Sequence, residues 1–175
     1  MSRSLRTFRK YHKYFGLVLA VFLFISATTG LLLGWKKDSA WIQPPTREGV
    51  EAGLSNWLPL DELAALAQEA FTEACPGKDA TIDRLDVRPD KGMVKVLFLH
   101  GWWEVQLDGR NGAILSIARR NSDWIEALHD GSLVGDGFKL VSMNLLGLGL
   151  VLLVLTGLWL WYGPKQVRRQ RRSTR

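Results

Sequence analysis

The sequence predicts a membrane protein of mixed α and β structure, in which two transmembrane helices flank one helix and an antiparallel meander sheet. Two uncharged runs, at residues 14–34 and 140–164, are each long enough to cross a bilayer core of about 30 Å. Between them, apolar and polar residues alternate over short segments that are separated by glycine-containing turns. The rest of the 175-residue chain is too small to enclose two such helices, which argues against core helices of a soluble protein.

Charge at the two ends predicts the orientation in the membrane. Residues 1–13 and 165–175 together hold eleven lysines and arginines and no acidic residue. The residues between them carry 12 basic and all 17 acidic side chains, a net charge of −5, although the whole chain has +6. Basic residues next to transmembrane helices stay in the cytoplasm. The protein is therefore expected in a bacterial inner membrane, with both termini in the cytoplasm and the central part in the periplasm. Nucleic acid is not an expected partner.

The first apolar run is predicted to be an uncleaved anchor rather than a signal peptide. Signal peptides have a shorter apolar region, followed by a cleavage site with small residues. Here the small residues at 26–30 are followed by three more leucines, so the apolar run continues instead of ending.

The segment after the first run is predicted to lie at the membrane interface and then to fold. Trp35 and Trp41 are expected at the outer headgroup boundary, and two prolines at 44–45 end any helical continuation. Residues 60–71 place apolar side chains on one face of a helix. Strands are predicted at 82–87, 93–99, 102–107 and 113–117. One helix on four strands can bury a single core of modest size.

Three stretches in this order resemble the PepSY-associated transmembrane family. WEVQLDGRNGAILSI, at 103–117, is similar to the closing hairpin of PepSY domains. Residues 9–33 resemble the first helix of the family, with a histidine near the start and Thr-Gly-Leu near the end. Residues 124–161 resemble the last helix, with a His-Asp-Gly entrance and a second Thr-Gly-Leu. The resemblance covers nearly the whole chain.

The resemblance and the apolar runs together predict seven segments. The expected order is a basic cytoplasmic N-terminus at 1–13, transmembrane helix 1 at 14–34, an interfacial linker at 35–45, a PepSY-like extracytoplasmic domain at 46–120, a connecting segment at 121–139, transmembrane helix 2 at 140–163 and a basic cytoplasmic tail at 164–175.

The sequence contains no set of motifs that is typical of an enzyme. A Gly-x-Ser-x-Gly elbow, a phosphate-cradling loop and a dinucleotide fingerprint are all missing from it. The lone cysteine, Cys75, excludes an internal disulfide and a metal site built from cysteines of one chain. Asp83, Asp86 and Asp90 are interpreted as a solvated face, and His100 as an exposed or structural residue of a turn. The protein is therefore expected to have no enzyme activity of its own.

His12 and His129 are the candidate cofactor ligands. Larger relatives with four transmembrane helices, of the siderophore-iron reductase type, are understood to hold b-type haem between membrane histidines, and the resemblance carries this role to these two positions. In a two-helix hairpin they lie at opposite ends, separated by roughly the 30 Å core. One haem could not join them, so each haem would need a histidine from a partner chain in a homodimer. The other interpretation is that both are helix-edge residues bonded to nearby groups.

Small residues and two tryptophans suggest contact surfaces. Ser26, Gly30 and Gly34 recur at every fourth position of the first helix. Gly147 and Gly157 make the second helix narrower, because glycine has no side chain. Such residues let helices approach closely, either within one chain or against another membrane protein. Trp102 and Trp103 are adjacent on a predicted strand, so one is expected to face the core and the other a partner or the lipid.

Three functions remain open from the sequence. The resemblance implies an accessory or binding subunit of a membrane redox or iron-acquisition complex, in contact with the lipid bilayer and with another membrane protein or a second copy. The alternatives are a haem b electron-transfer component, similar to a ferric reductase, and a PepSY regulator of a protease.

Overall fold

The computed structural model describes residues 3–173, with side chains described over residues 6–165. Arg3 and the basic residues at 168–175, on which the predicted orientation partly depends, lie outside the range of described side chains. The helices are α1 (Arg3–Gly34), α2 (Leu60–Ala74), α3 (Asn121–Asp130) and α4 (Asp136–Ser173). The strands are β1 (Ile82–Arg88), β2 (Met93–Phe98), β3 (Trp103–Asp108) and β4 (Ile114–Arg119), with a short 3-10 helix at Pro89–Lys91.

Helices α1 and α4 confirm the two predicted apolar helices. Their stretches Arg6–Gly34 and Asp136–Lys165 are long and apolar enough to cross a membrane. In the most apolar part of each, only 11% and 6% of the residues are buried inside the molecule, whereas a core helix of a soluble protein would be mostly buried. These exposed apolar surfaces are suited to lipid. Helix α4 continues through Pro164, beyond the end of the apolar run.

The four strands form one antiparallel sheet in the order β1-β2-β3-β4, which confirms the predicted meander. Helix α2 packs on one face of this sheet through Leu63, Ala67 and Phe71, which are fully buried. The rings of Phe71 and Phe98 stack with centroids 4.2 Å apart. Because a buried Leu or Phe side chain stabilises the fold by about 1.5–3 kcal/mol, this layer is the core of the domain. The membrane α+β fold class is therefore confirmed.

The chain divides into two compact units that are described separately below. The helix-pair unit consists of Met1–Leu31 and Glu126–Arg175, and the central unit consists of Leu32–Ile125. Helix α3 lies within residues 121–139, which were expected only as a connecting segment. Its first turn carries Asp123 at the positive end of the helix dipole, and Ser122 is buried beside it.

Candidate functional site

His12 lies on α1, and its imidazole contacts the C-terminal half of α4. Its Nδ1 is 2.7 Å from the hydroxyl oxygen of Thr156. That hydroxyl donates its own hydrogen to the backbone oxygen of Leu152, one turn earlier, at 2.7 Å. A hydroxyl has a single hydrogen, so the oxygen of Thr156 can only accept a hydrogen bond from His12. His12 therefore donates from Nδ1.

His129 makes the matching contact at the other end of the helix pair. It lies in the last turn of α3, and its Nδ1 is 2.9 Å from the backbone oxygen of Ser26 and 3.0 Å from the hydroxyl of Thr29, both on α1. A carbonyl oxygen can only accept, and the Thr29 hydroxyl donates to the backbone oxygen of Ile25 at 2.7 Å. Nδ1 of His129 therefore carries a hydrogen too.

Both contacts place a hydrogen on Nδ1. In a neutral imidazole with its hydrogen on Nδ1, the lone pair is on Nε2. Histidines that bind metals through Nε2 usually donate Nδ1–H to an oxygen in this way, which fixes the ring and strengthens the ligand. In their neutral form, both imidazoles of the helix pair can therefore act as Nε2 ligands.

A glycine next to each threonine lies beside the ring. A Cβ atom built on Gly30 would lie 3.3 Å from Cε1 of His129, and one on Gly157 would lie 3.6 Å from Cε1 of His12. The first distance is tighter than most contacts, so Gly30 makes room for His129, whereas the second is an ordinary van der Waals distance. We call these two contacts the histidine cradles: His12 with Thr156 and Gly157, and His129 with Thr29 and Gly30.

The other predicted small residues have different surroundings. Within the described residues, a Cβ on Gly34 or Gly147 would meet no atom within 4 Å. Their role in packing against another protein stays a prediction. A Cβ on Gly149, in contrast, would lie 2.4 Å from the side chain of Leu19, so α1 and α4 approach each other closely at that level. Ser26 takes part through the backbone oxygen that binds His129.

Apolar space adjoins both histidines. A groove of about 450 Å³ beside His12 is lined by that residue, by Thr156 and by aromatic and aliphatic side chains, among them Tyr14 and Phe15. A smaller cavity of about 130 Å³ includes His129 and Phe22 in its lining. The groove beside His12 has the size of a ligand site, about 300–1,000 Å³, whereas the cavity beside His129 is smaller than that range.

The two cradles lie at different levels of the helix pair. Ser26 follows His12 by 14 residues on α1, which corresponds to about 21 Å along a helix. A single porphyrin cannot join imidazoles at both levels, as the sequence predicts. His129 lies on α3, before α4 begins at Asp136, rather than on the second membrane helix itself.

The residue after His129 fixes the turn between α3 and α4. Asp130 accepts from Nζ of Lys139 at 2.5 Å, and from the backbone N–H of Ser132 at 2.9 Å. Burial alone would raise the pKa of Asp130, but hydrogen bonds from Lys139 and Ser132 outweigh it and lower that pKa to about 2. Asp130 is therefore ionised at neutral pH, and its salt bridge to Lys139 holds the end of α3 beside the start of α4.

The two tryptophans do not form the predicted strand pair. Trp102 precedes β3 and has a φ of 60° in the turn after Gly101, so strand alternation does not extend to it. Trp103 is half-buried and packs against Phe71, with ring centroids 5.7 Å apart, while Lys78 lies over its face at 4.0 Å. Trp102 is half-buried as well. Their contact with a partner stays a prediction.

The face of the sheet opposite α2 holds a buried polar layer that the sequence analysis missed. Lys95, Glu104 and Gln106 are at most 1% exposed, because the segment at 42–53 crosses this face. Glu104 accepts from Gln106 at 2.6 Å and lies 3.0 Å from Nη1 of Arg120 and 3.5 Å from Nζ of Lys95. The only hint in the sequence is that these polar residues of opposite charge alternate on two neighbouring strands.

The remaining candidates carry no site. His100 is an exposed turn residue whose Nε2 lies 3.5 Å from Asp79, as expected. Cys75 is a free thiol at the end of α2. No group of three or more His, Cys, Asp or Glu side chains that could hold a metal ion occurs among the described residues.

Comparison with known protein families gives a match. The family model described as the PepSY-associated TM region matches residues 9–175, essentially the whole chain. No curated protein matches the chain.

Proposed function

The chain belongs to the PepSY-associated TM region family, and on that premise we propose that it is an accessory subunit of a membrane redox complex whose helix pair binds haem b. His12 and His129 would hold the haem iron. The observations that carry the proposal are the contacts of the two Nδ1 atoms. Each donates Nδ1–H to an oxygen on α1 or α4, so that in the neutral ring the lone pair of Nε2 is available to the iron.

The donor chemistry at both positions fits this cofactor. Neutral imidazole is a common axial ligand of haem iron, and a haem with two imidazoles transfers single electrons when bound. The threonines orient the rings, Gly30 leaves space beside the ring of His129, and the apolar groove next to His12 could exclude water from a porphyrin. Because the two histidines lie at different levels, each haem would be held by one of them together with a histidine of another chain, which a homodimer would supply.

An expected absorption spectrum tests this function. The purified protein should show the visible bands of a reduced low-spin b-type haem, and His12→Ala and His129→Ala should each weaken them. His100→Ala is the matched control, since that exposed histidine lies on the central unit and should leave the bands unchanged. A folded but colourless protein would show instead that the histidines serve only to join the helices.

The orientation follows from the terminal charges. Both termini lie in the cytoplasm of the bacterial inner membrane, and the central unit lies in the periplasm. Protease added to intact spheroplasts should therefore cleave the central unit and leave a C-terminal tag intact. Loss of the tag with protection of the central unit would contradict this orientation.

A further inference from the structure

The central unit carries a basic cavity of about 420 Å³. Among the described residues, no carboxylate side chain lines it. Gln43, Thr46 and two prolines form part of its lining. The rest of the lining consists of five cationic side chains: Lys36, Lys37, Arg88, Lys91 and Lys95.

Lys95 is the buried member of this cavity. Its side chain is 2% exposed, and Nζ donates to the hydroxyl of Thr46 at 2.9 Å. The nearest carboxylate, Glu104, is 3.5 Å away and is shared with Arg120 at 3.0 Å. Burial lowers the pKa of Lys95 because the charged form loses hydration that one shared carboxylate only partly replaces. An anion in the cavity would compensate this buried charge.

Two other cations of the cavity, Arg88 and Lys91, form weak ion pairs. Arg88 lies 2.8 Å from Asp86, and Lys91 lies 3.3 Å from Glu48, whose side chain is 77% exposed. Exposed pairs of this kind contribute only about 0–1 kcal/mol. An entering anion can therefore draw Arg88 and Lys91 to itself at little cost.

Gln43 provides an independent observation. Its Oε1 is buried and has no hydrogen-bond partner among the described residues. Burying a polar atom without a partner costs about 1–3 kcal/mol, so such an atom usually indicates a missing donor. A ligand that places a hydroxyl or amine next to its anionic oxygens would satisfy Gln43 and the cations together.

We propose that this cavity binds a phosphate-class anion that also carries a hydroxyl or amine donor. Lysine and arginine side chains form strong charge-assisted hydrogen bonds to phosphate oxygens. Two sources share this chemistry, hydrogen phosphate in solution and the headgroup of an anionic phospholipid. A headgroup is within reach, because Lys36 follows the last residue of the first membrane stretch, Gly34, by only two positions.

The test uses the full-length protein and two charge-matched double variants. The cavity variant is Lys37→Gln with Lys91→Gln, and the control is Lys78→Gln with Arg119→Gln, which removes two cations near Trp103. In neutral detergent, sodium phosphate is titrated by calorimetry at constant ionic strength. In nanodiscs of phosphatidylcholine with or without phosphatidylglycerol, native mass spectrometry counts the phosphatidylglycerol that is retained.

We expect saturable binding in at least one arm, weakened about tenfold or more in the cavity variant and less than about twofold in the control. Phosphate binding in detergent would identify a soluble anion, and retained phosphatidylglycerol would identify a headgroup. The proposal is overturned if neither arm shows saturable binding, or if both double variants lose binding equally. None of these outcomes depends on haem.

Discussion

Replacing Glu104 with alanine should destabilise the central unit by about 3–5 kcal/mol, because it leaves buried cations without their shared carboxylate. Glu104 is 1% exposed and contacts Lys95, Gln106 and Arg120. Water cannot replace these contacts while the segment at 42–53 covers the sheet. For a unit of this size, the loss corresponds to a fall in melting temperature of roughly 12–40 °C.

The melting of this unit can be followed in the full-length protein through the near-ultraviolet circular dichroism of its tryptophans, since Trp103 packs against the core. Glu69→Ala is the matched control, because Glu69 is an exposed carboxylate on α2 that should change stability by less than about 0.5 kcal/mol. Equal melting temperatures for the Glu104 and Glu69 variants would show that the buried polar layer does not stabilise the sheet.

Replacing Gly30 with valine should abolish the function of one histidine cradle and leave the membrane helices intact. The new Cβ would lie 3.3 Å from Cε1 of His129, and the two methyl groups beyond it would compete with the ring for space. The imidazole must then leave the oxygens of Ser26 and Thr29, so Nδ1–H loses its acceptors. We expect the protein to lose about half of its haem, as for His129→Ala.

Gly34→Val is the matched control for this prediction. It lies one helical turn further along α1, and its Cβ would meet no described atom within 4 Å. Both variants add the same β-branched side chain to the same helix, at an internal position for Gly30 and at the last residue for Gly34. A haem content that falls equally in both variants, or in neither, would contradict the cradle.

Most of the fold could be predicted because its signals are local. The uncharged runs mark α1 and α4, and the alternation of Val94, Val96 and Phe98 marks β2. The buried polar layer could not be predicted, because an alternating strand of an antiparallel sheet usually turns its polar side to water. Here a segment without periodicity covers that side, and contacts between distant segments leave no repeating pattern in the sequence.

The candidate site was predictable in its parts, but its hydrogen bonds were not. Both histidines and both Thr-Gly-Leu triplets are visible in the sequence. In an antiparallel hairpin the start of one helix lies beside the end of the other, which places His12 near Thr156 and His129 near Thr29. The hydrogen bonds of the two rings could not be predicted, because they depend on where the backbone oxygen of Ser26 and the threonine hydroxyls lie. Only the structure provides these positions.

The amount of haem per chain tests the central claim most directly. Measured as the pyridine haemochrome, wild-type protein should contain about one haem per chain, because two histidines from each of two chains hold two haems. His12→Ala and His129→Ala should each contain about half of that amount, and the double variant none. A double variant that retains the wild-type haem content, or a wild-type protein without haem, would contradict the assignment of these histidines as ligands.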